Sequence, residues 1–215
     1  FRRPPEPADA DEDDAGLLQR SDNTFGTPEE DARRRDFTIN GLFYDIETFS
    51  VIDYVGGLND LSAGLVRSIG DPDIRFREDP VRMVRAVRFA SRLGFRIEDR
   101  TFAAIRRHGE KIQQAAPARM FEEIQRLFAF SSAKPAFHLL RESGLLAFVF
   151  PELERCLDEI APEDPLLWKH LAALDAGSFV LAEPTPALRF ATLYCELLHR
   201  QLPADAEPAA IEAVV

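Results

Sequence analysis

Four arginines recur at intervals of three and four residues in the segment REDPVRMVRAVRFASRLGF, which covers residues 77–95. On a helix with about 100° per residue, they fall within an arc of roughly 120°. Neighbouring cations repel one another, so this face needs either carboxylates or the phosphates of a ligand as partners. The spacing leaves two interpretations open: an exposed face with intramolecular salt bridges, or a phosphate-binding surface. The arginines are Arg82, Arg85, Arg88 and Arg92.

Asp79 and Arg82 have the chemistry to distinguish nucleobases. Three residues apart, they can present a carboxylate acceptor and a guanidinium donor side by side. Adenine and cytosine place an amino donor beside a ring-nitrogen acceptor, whereas guanine and uracil reverse that order. A fixed pair of this kind accepts A and C without a template, because a wrong base leaves buried groups unpaired. The alternative is a helix N-cap, in which the Asp79 carboxylate accepts the Arg82 backbone N–H.

The charge of the chain is strongly uneven. The 215 residues carry a formal net charge of −11, which argues against bulk affinity for nucleic acid. Residues 1–31 hold ten acidic residues against three arginines, and we expect residues 1–24 to be a mobile acidic loop. Residues 75–107 hold ten arginines against four acidic residues. The overall figure therefore hides a basic centre.

The hydrophobic pattern predicts an α+β fold that is mostly α. DFTINGLFYDI and FSVIDYV are β-branched and aromatic runs that predict a hairpin, which ends at Gly56–Gly57. NDLSAG predicts a turn, and LVRSIGD predicts a short extended segment. Asp79, Pro80 and Gly94 have the residue types of an N-cap, a first helical position and a C-terminal stop. A short helix is also predicted from Thr27 or Pro28, and further helices near 99–109, 117–130, 134–143, 145–150, 165–176 and 186–201.

Four segments follow one another along the chain: RRDFTIN (34–40), IDYVGGLNDLSAGLVRSIGD (52–71), RFREDPVRMVRAVRFASRLGF (75–95) and PARMFEEIQRLF (117–128). Together, in this order, they resemble the class II nucleotidyltransferase family, which comprises bacterial poly(A) polymerases and CCA-adding tRNA nucleotidyltransferases. The resemblance runs from about residue 25 to 150, and the sequences FSVIDYVGGL and REDPVRM favour the poly(A) polymerase branch. It implies the C-terminal part of a nucleotidyltransferase head at 1–72, a helical neck that binds nucleobase and RNA at 73–150, and the start of a helical body at 151–215.

The resemblance also implies roles for matching residues. Asp79 and Arg82 match the family's base-reading pair. The implied nucleotide-binding residues are Arg35, Asp36, Asn40, Asp79, Arg82, Arg85 and Arg88, with the first three near the ribose and phosphates. Ordinary alternatives are an ion pair of Asp36 with Arg34 or Arg35, and a turn role for Asn40. Arg119 and Glu122 are expected to tie helices of the neck together.

The family's paired metal-binding carboxylates follow a Gly-Gly-x-Val-Arg-Asp stretch, which this sequence does not contain. The Asp-x-Asp strings at 9–13 and 71–73 lie in a predicted loop and turn, so we expect no catalytic metal ligands in the chain. Phe1 and Val215 suggest a fragment that lacks the metal site and is inactive by itself. The parent enzyme is expected to use ATP and Mg²⁺, and to act on RNA 3′ ends. A CCA-adding enzyme and a degenerate RNA-binding homologue remain alternatives. With two cysteines and no apolar run of membrane length, a cytoplasmic location is expected.

Overall fold

The computed structural model describes residues 26–159, 166–177 and 185–201, and the expected mobile loop at 1–24 lies outside them. Within these ranges short strands lead into a helical array, which confirms the predicted α+β, mostly α class. No helix of the described part is long and apolar enough to cross a membrane. The strands are β1 (Leu42–Asp45), β2 (Ser50–Asp53), β3 (Leu65–Val66) and β4 (Arg96–Ile97). The α-helices are α1 (Pro28–Arg34), α2 (Gly57–Ala63), α3 (Pro72–Glu78), α4 (Val81–Leu93), α5 (Asp99–His108), α6 (Pro117–Leu127), α7 (Ala133–Glu142), α8 (Leu146–Val149), α9 (Pro151–Asp158), α10 (Leu166–Asp175) and α11 (Pro186–Gln201), with 3₁₀ turns at Thr38–Asn40 and Gly109–Gln114.

The predicted hairpin forms from β1 and β2, which pair antiparallel from Leu42 opposite Asp53 to Asp45 opposite Ser50. β3 pairs in parallel with β4. The NDLSAG segment was predicted as a turn, and this was wrong because it belongs to α2. The Asp53 carboxylate accepts four backbone N–H groups at the start of α2, those of residues 55–58. It therefore caps α2, whose N-cap residue Gly56 has no side chain to do so.

The region around Asp79 differs from the predicted helix start. α3 begins at an Asp71 cap and ends at Glu78, and Asp79 is extended at φ −147° and ψ 91°. The Asp79 carbonyl, rather than its carboxylate, accepts the Arg82 N–H at 3.1 Å. The predicted side-chain cap by Asp79 is therefore wrong, whereas the stop at Gly94 is confirmed by its φ of +66°. The short break between two helices turns the Asp79 carboxylate away from the helix backbone.

α4 is the central helix of the core. Its apolar face packs against α6 and α7, and α3 packs against α5. Each large apolar side chain buried in this way contributes about 1.5–3 kcal/mol, which fixes the rotation of α4 and directs Arg82 and Arg85 away from the core. The fully buried residues of that face include Met83, Val84, Ala86 and Val87.

The predicted domain boundaries at 72–73 and 150–151 stay predictions. α7 packs against both α4 and α10, so contacts cross the second boundary. Contacts also cross the first boundary, because the Arg75 guanidinium donates to the carbonyl oxygens of Arg34 and Arg35 at 2.6 and 2.8 Å. The α1 end of the chain is therefore held directly against α3.

Candidate functional site

An open cleft of about 500 Å³ lies where the first turns of α4 meet the segment 35–40 and the start of α6. Six of the seven residues implied by the family resemblance line it. Arg88 is not among them, and two lining residues, Phe89 and Arg119, were not assigned to the site from the sequence. The cleft is lined by Arg35, Asp36, Asn40, Asp79, Arg82, Arg85, Phe89 and Arg119.

Asp36 organises the wall formed by residues 35–40. Its Oδ1 accepts the Phe37 N–H and the Asn40 amide, each at 2.9 Å, and its Oδ2 accepts Arg85 Nε at 2.8 Å. Burial by itself raises the pKa of Asp36, but the charge of Arg85 and these hydrogen bonds lower it overall. Asp36 therefore stays ionised and fixes Asn40 and Arg85 in place. The alternative ion pair with Arg34 or Arg35 does not form, because both arginines donate to Asp31.

Arg35 stands at the rim of the cleft. Its guanidinium donates to the Asn40 carbonyl at 2.7 Å and to Asp31 at 3.0 Å, and it lies 4.9 Å from the centre of the Phe43 ring. Its side chain is 39% exposed. A guanidinium that is held at its base but open to solvent on its outer side can neutralise a phosphate group.

Asp79 and Arg82 both face the cleft, and they are incompletely paired with each other. Arg82 Nε lies 3.8 Å from Asp79 Oδ2 and Arg82 Nη1 lies 3.7 Å from Glu78, both beyond hydrogen-bonding distance. Arg82 Nη1 is buried and has no hydrogen-bond partner among the described residues. Burial, together with the charge of Arg75, lowers the pKa of Arg82. The Arg82 guanidinium is 17% exposed and is held by contacts longer than a hydrogen bond, so it can donate to an acceptor that enters the cleft.

Arg119 reaches the same carboxylate from α6. Its Nη2 donates to Asp79 Oδ2 at 2.8 Å, and its side chain is 57% exposed. The sequence-based role as a tie between helices is consistent with this contact, but Arg119 also lines the cleft. No local pattern indicated this, because the two residues are forty positions apart. Phe89 was missed for a different reason: a phenylalanine in an amphipathic helix is ordinarily a core residue.

Arg88 lies behind the cleft wall in a buried ionic network. Its Nε donates to Glu123 at 2.8 Å, and Glu123 also accepts from Arg85 at 3.1 Å and from Arg126 at 2.8 Å. Glu123 is 4% exposed and Arg88 is 8% exposed. Burial lowers the pKa of Arg88, and Glu123 opposes that effect. In this conformation Arg88 supports Arg85, and its assignment as a nucleotide-binding residue stays a prediction.

The described residues include no cluster of three His, Cys, Asp or Glu side chains that could hold a metal ion. Asp36 and Asp79, the two carboxylates in the cleft, are each engaged by arginine. The donor set of the cleft therefore suits an anionic ligand with a polar base, and it does not suit a divalent cation.

Comparisons with known proteins identify relatives of this chain. The family model described as "Poly A polymerase head domain" matches residues 7–67, and the one described as "Probable RNA and SrmB- binding site of polymerase A" matches residues 94–157. Poly(A) polymerase I of Escherichia coli O157:H7 is 42% identical over 181 residues, which are 83% of this chain and 39% of that protein. The multifunctional CCA protein of Thioalkalivibrio sulfidiphilus is 37% identical over 196 residues, which are 85% of this chain and 46% of that protein.

Among solved structures, the Bacillus stearothermophilus CCA-adding enzyme in complex with CTP has a TM-score of 0.59 at 25% identity, and the match covers 89% of this chain and 59% of that one. The chain belongs to the class II nucleotidyltransferase family of poly(A) polymerases and CCA-adding enzymes, which is a family of enzymes. It spans less than half the length of these curated relatives.

Proposed function

We propose that the protein to which this chain belongs is a poly(A) polymerase, a template-independent RNA nucleotidyltransferase that adds AMP from ATP to RNA 3′ ends. The observation that carries the proposal is the juxtaposition of Asp79 and Arg82 at one wall of an open, arginine-lined cleft. The identity with poly(A) polymerase I supports the choice of ATP and RNA as substrates.

In this proposal the cleft reads the edge of adenine. The amino group of the base donates to Asp79, and the guanidinium of Arg82, which lines the cleft, donates to the ring nitrogen beside it. The contacts of Arg82 and Arg119 with Asp79 use Oδ2, which leaves Oδ1 for the amino group. Guanine would present its carbonyl oxygen to the carboxylate and an N–H to the guanidinium, so two buried groups would lose their partners. Arg119 holds the reading carboxylate in place.

The part of the cleft around Asp36 takes the sugar and phosphates. Arg35 and Arg85 supply positive charge, and Asn40 offers a side-chain amide that Asp36 orients. Asp36 acts through these neighbours, because both of its oxygens already accept hydrogen bonds. Phe89 contributes an apolar surface to the same cleft. The arrangement positions a nucleotide by charge and fixed donors, and it needs little movement of the protein.

Phosphoryl transfer of this kind is assisted by Mg²⁺, which neutralises the charge that develops on the reacting phosphate. We propose that the Mg²⁺ ligands lie outside the described residues, because the sequence lacks the family's metal-binding carboxylate motif. The described residues therefore select and hold the nucleotide, while metal binding belongs to another part of the protein. A cytoplasmic location completes the proposal and accords with Cys156 and Cys195, which are not joined by a disulfide.

The test is nucleotide incorporation by the full-length protein on a short RNA with each nucleoside triphosphate supplied separately. Long A tracts on general RNA are the expected result. Growth that stops after three nucleotides, and only on tRNA lacking its 3′ end, would identify a CCA-adding enzyme, the activity that the CCA relatives favour. A protein that extends no RNA with any nucleotide would contradict both activities. RNA binding that persists in that case would identify a binding homologue.

A further inference from the structure

Phe130 is a large aromatic residue in the turn that follows α6, and it carries two unfavourable features at once. Its side chain is 68% exposed, and its φ of +61° lies in the left-handed region that non-glycine residues rarely adopt. Ser131, the next residue, also has a positive φ of +54°. Backbone strain of this kind is concentrated at active sites and ligand-binding segments.

Arg92 gives this ring a charged partner. Its guanidinium carbon lies 3.5 Å from the centre of the Phe130 ring, which is the geometry of a cation–π contact. Arg92 is itself exposed. The guanidinium therefore covers one face of the ring, and the largely exposed ring keeps surface that can stack on a base. Aromatic rings beside cationic groups bind the bases and backbone of single-stranded nucleic acid.

The position of Arg92 connects this surface to the cleft. Arg85 and Arg92 are seven residues apart on α4, so they project within about 20° of each other. Arg92 lies about 15 Å further along the helix axis than Arg82, at about 1.5 Å per residue. Between the two places, Arg85, Arg88 and Arg126 are balanced by carboxylates. The connection between the cleft and this surface therefore rests on their positions along α4.

We infer that Phe130 and Arg92 form a stacking site for one nucleobase of the RNA strand whose 3′ end lies next to the nucleotide in the cleft. Phe130 stacks on the base, and Arg92 holds the ring and contacts the neighbouring phosphate. At about 3.4 Å per stacked nucleotide, 15 Å corresponds to about four steps from the base that Arg82 reads, which reaches about the fourth RNA nucleotide from the 3′ end. The site accepts any base, because every base has an aromatic face. The numbering from the 3′ end rests on the proposed function, whereas RNA binding at this surface does not.

The test measures the Kd of full-length protein for a fluorescent twelve-nucleotide oligo(A) RNA by anisotropy, without nucleoside triphosphate. Phe130→Ala is expected to weaken binding about tenfold, and Phe130→Trp to keep it. Phe49→Ala is the matched control, since Phe49 is also exposed (77%) with a positive φ of +53°, and has no described cation–π partner. It should leave the Kd unchanged. Because Phe130 is exposed, the Tm of Phe130→Ala should match that of the wild type.

A second series of RNAs, each with one abasic nucleotide two to eight positions from the 3′ end, locates the contact. The wild type should bind more weakly when the abasic nucleotide is near position four, whereas the Kd of Phe130→Ala should not depend on the abasic position. If Phe130→Ala binds RNA within twofold of the wild type, the inference is wrong, and a change in oligomeric mass would assign Phe130 to a protein contact instead. If affinity falls at no particular position, the RNA site stands and the strand path is refuted. The incorporation assay judges the proposed function separately.

Discussion

Replacing Glu123 by glutamine should be among the most destabilising single changes in the described part of the chain. Glu123 is 4% exposed and accepts from three arginines. The substitution keeps the shape of the side chain but removes its charge. Arg88 loses its ionic partner while it remains 8% exposed, and a buried charge without a partner is strongly unfavourable.

The magnitude follows from what each arginine retains. Breaking a buried ion pair costs about 3–5 kcal/mol, but Arg85 keeps Asp36 and the side chain of Arg126 is 51% exposed. Most of the cost therefore falls on Arg88, and we expect a loss of about 3 kcal/mol. For a chain of this size, such a loss lowers the Tm by about 6–12 °C. Thermal unfolding followed by circular dichroism measures this shift.

The neighbouring Glu122 provides a matched control. Its side chain is 66% exposed and lies 3.5 Å from Arg126, so Glu122→Gln should change stability by less than about 0.5 kcal/mol. Arg88→Met combined with Glu123→Gln should recover most of the loss, because the buried charge is removed with its partner. A Tm for Glu123→Gln within 2 °C of the wild type would refute the reasoning.

Three further predictions concern the cleft and its supports. Arg82→Ala should reduce the preference for ATP over GTP at least about tenfold in the incorporation assay, while the Kd for RNA stays within twofold. Equal losses of nucleotide preference and RNA affinity would contradict its base-reading role. The control Arg33→Ala, on the exposed face of α1, should change neither quantity. Gly57→Ala should cost about 2 kcal/mol or more in urea unfolding, because the new Cβ would lie 2.3 Å from the Thr38 carbonyl oxygen; an unchanged midpoint would refute the clash. Asp36 has a lowered pKa in the folded state, so its stabilising contribution is complete above its usual value of 3.8 and is lost as the pH falls below it. Asp36→Asn should therefore lose less stability than the wild type between pH 5 and 2, and parallel curves would be the contrary result.

Much of the local structure follows from short-range rules that the sequence displays directly. Thr27 and Glu30 form a reciprocal capping box at the start of α1, and Gly94 ends α4 with a positive φ. Alternating apolar residues on either side of a polar turn formed the predicted hairpin. These features depend on residues within a few positions of one another, so each could be predicted without a tertiary context.

The break before α4 was not predicted, because two local signals compete there. Asp79 followed by Pro80 has the pattern of a helix start, but α3 already ends at Glu78, and the Asp79 carbonyl takes the hydrogen bond expected of its carboxylate. The carboxylate has another partner, because Arg119 from α6 donates to it at 2.8 Å. Local propensity does not show this contact between distant elements.

The sequence by itself determined which chemistry is present: a carboxylate and a guanidinium three residues apart, at the start of a helix rich in arginine. Tertiary structure decided which of the arginines face the cleft. Arg82 and Arg85 face it, whereas the buried carboxylate of Glu123 draws Arg88 behind the wall. The physical reason is that a helix face of like charges has no preferred partners of its own. Its arginines are oriented by carboxylates that the fold brings from elsewhere in the chain, and the sequence pattern cannot show which of them arrive.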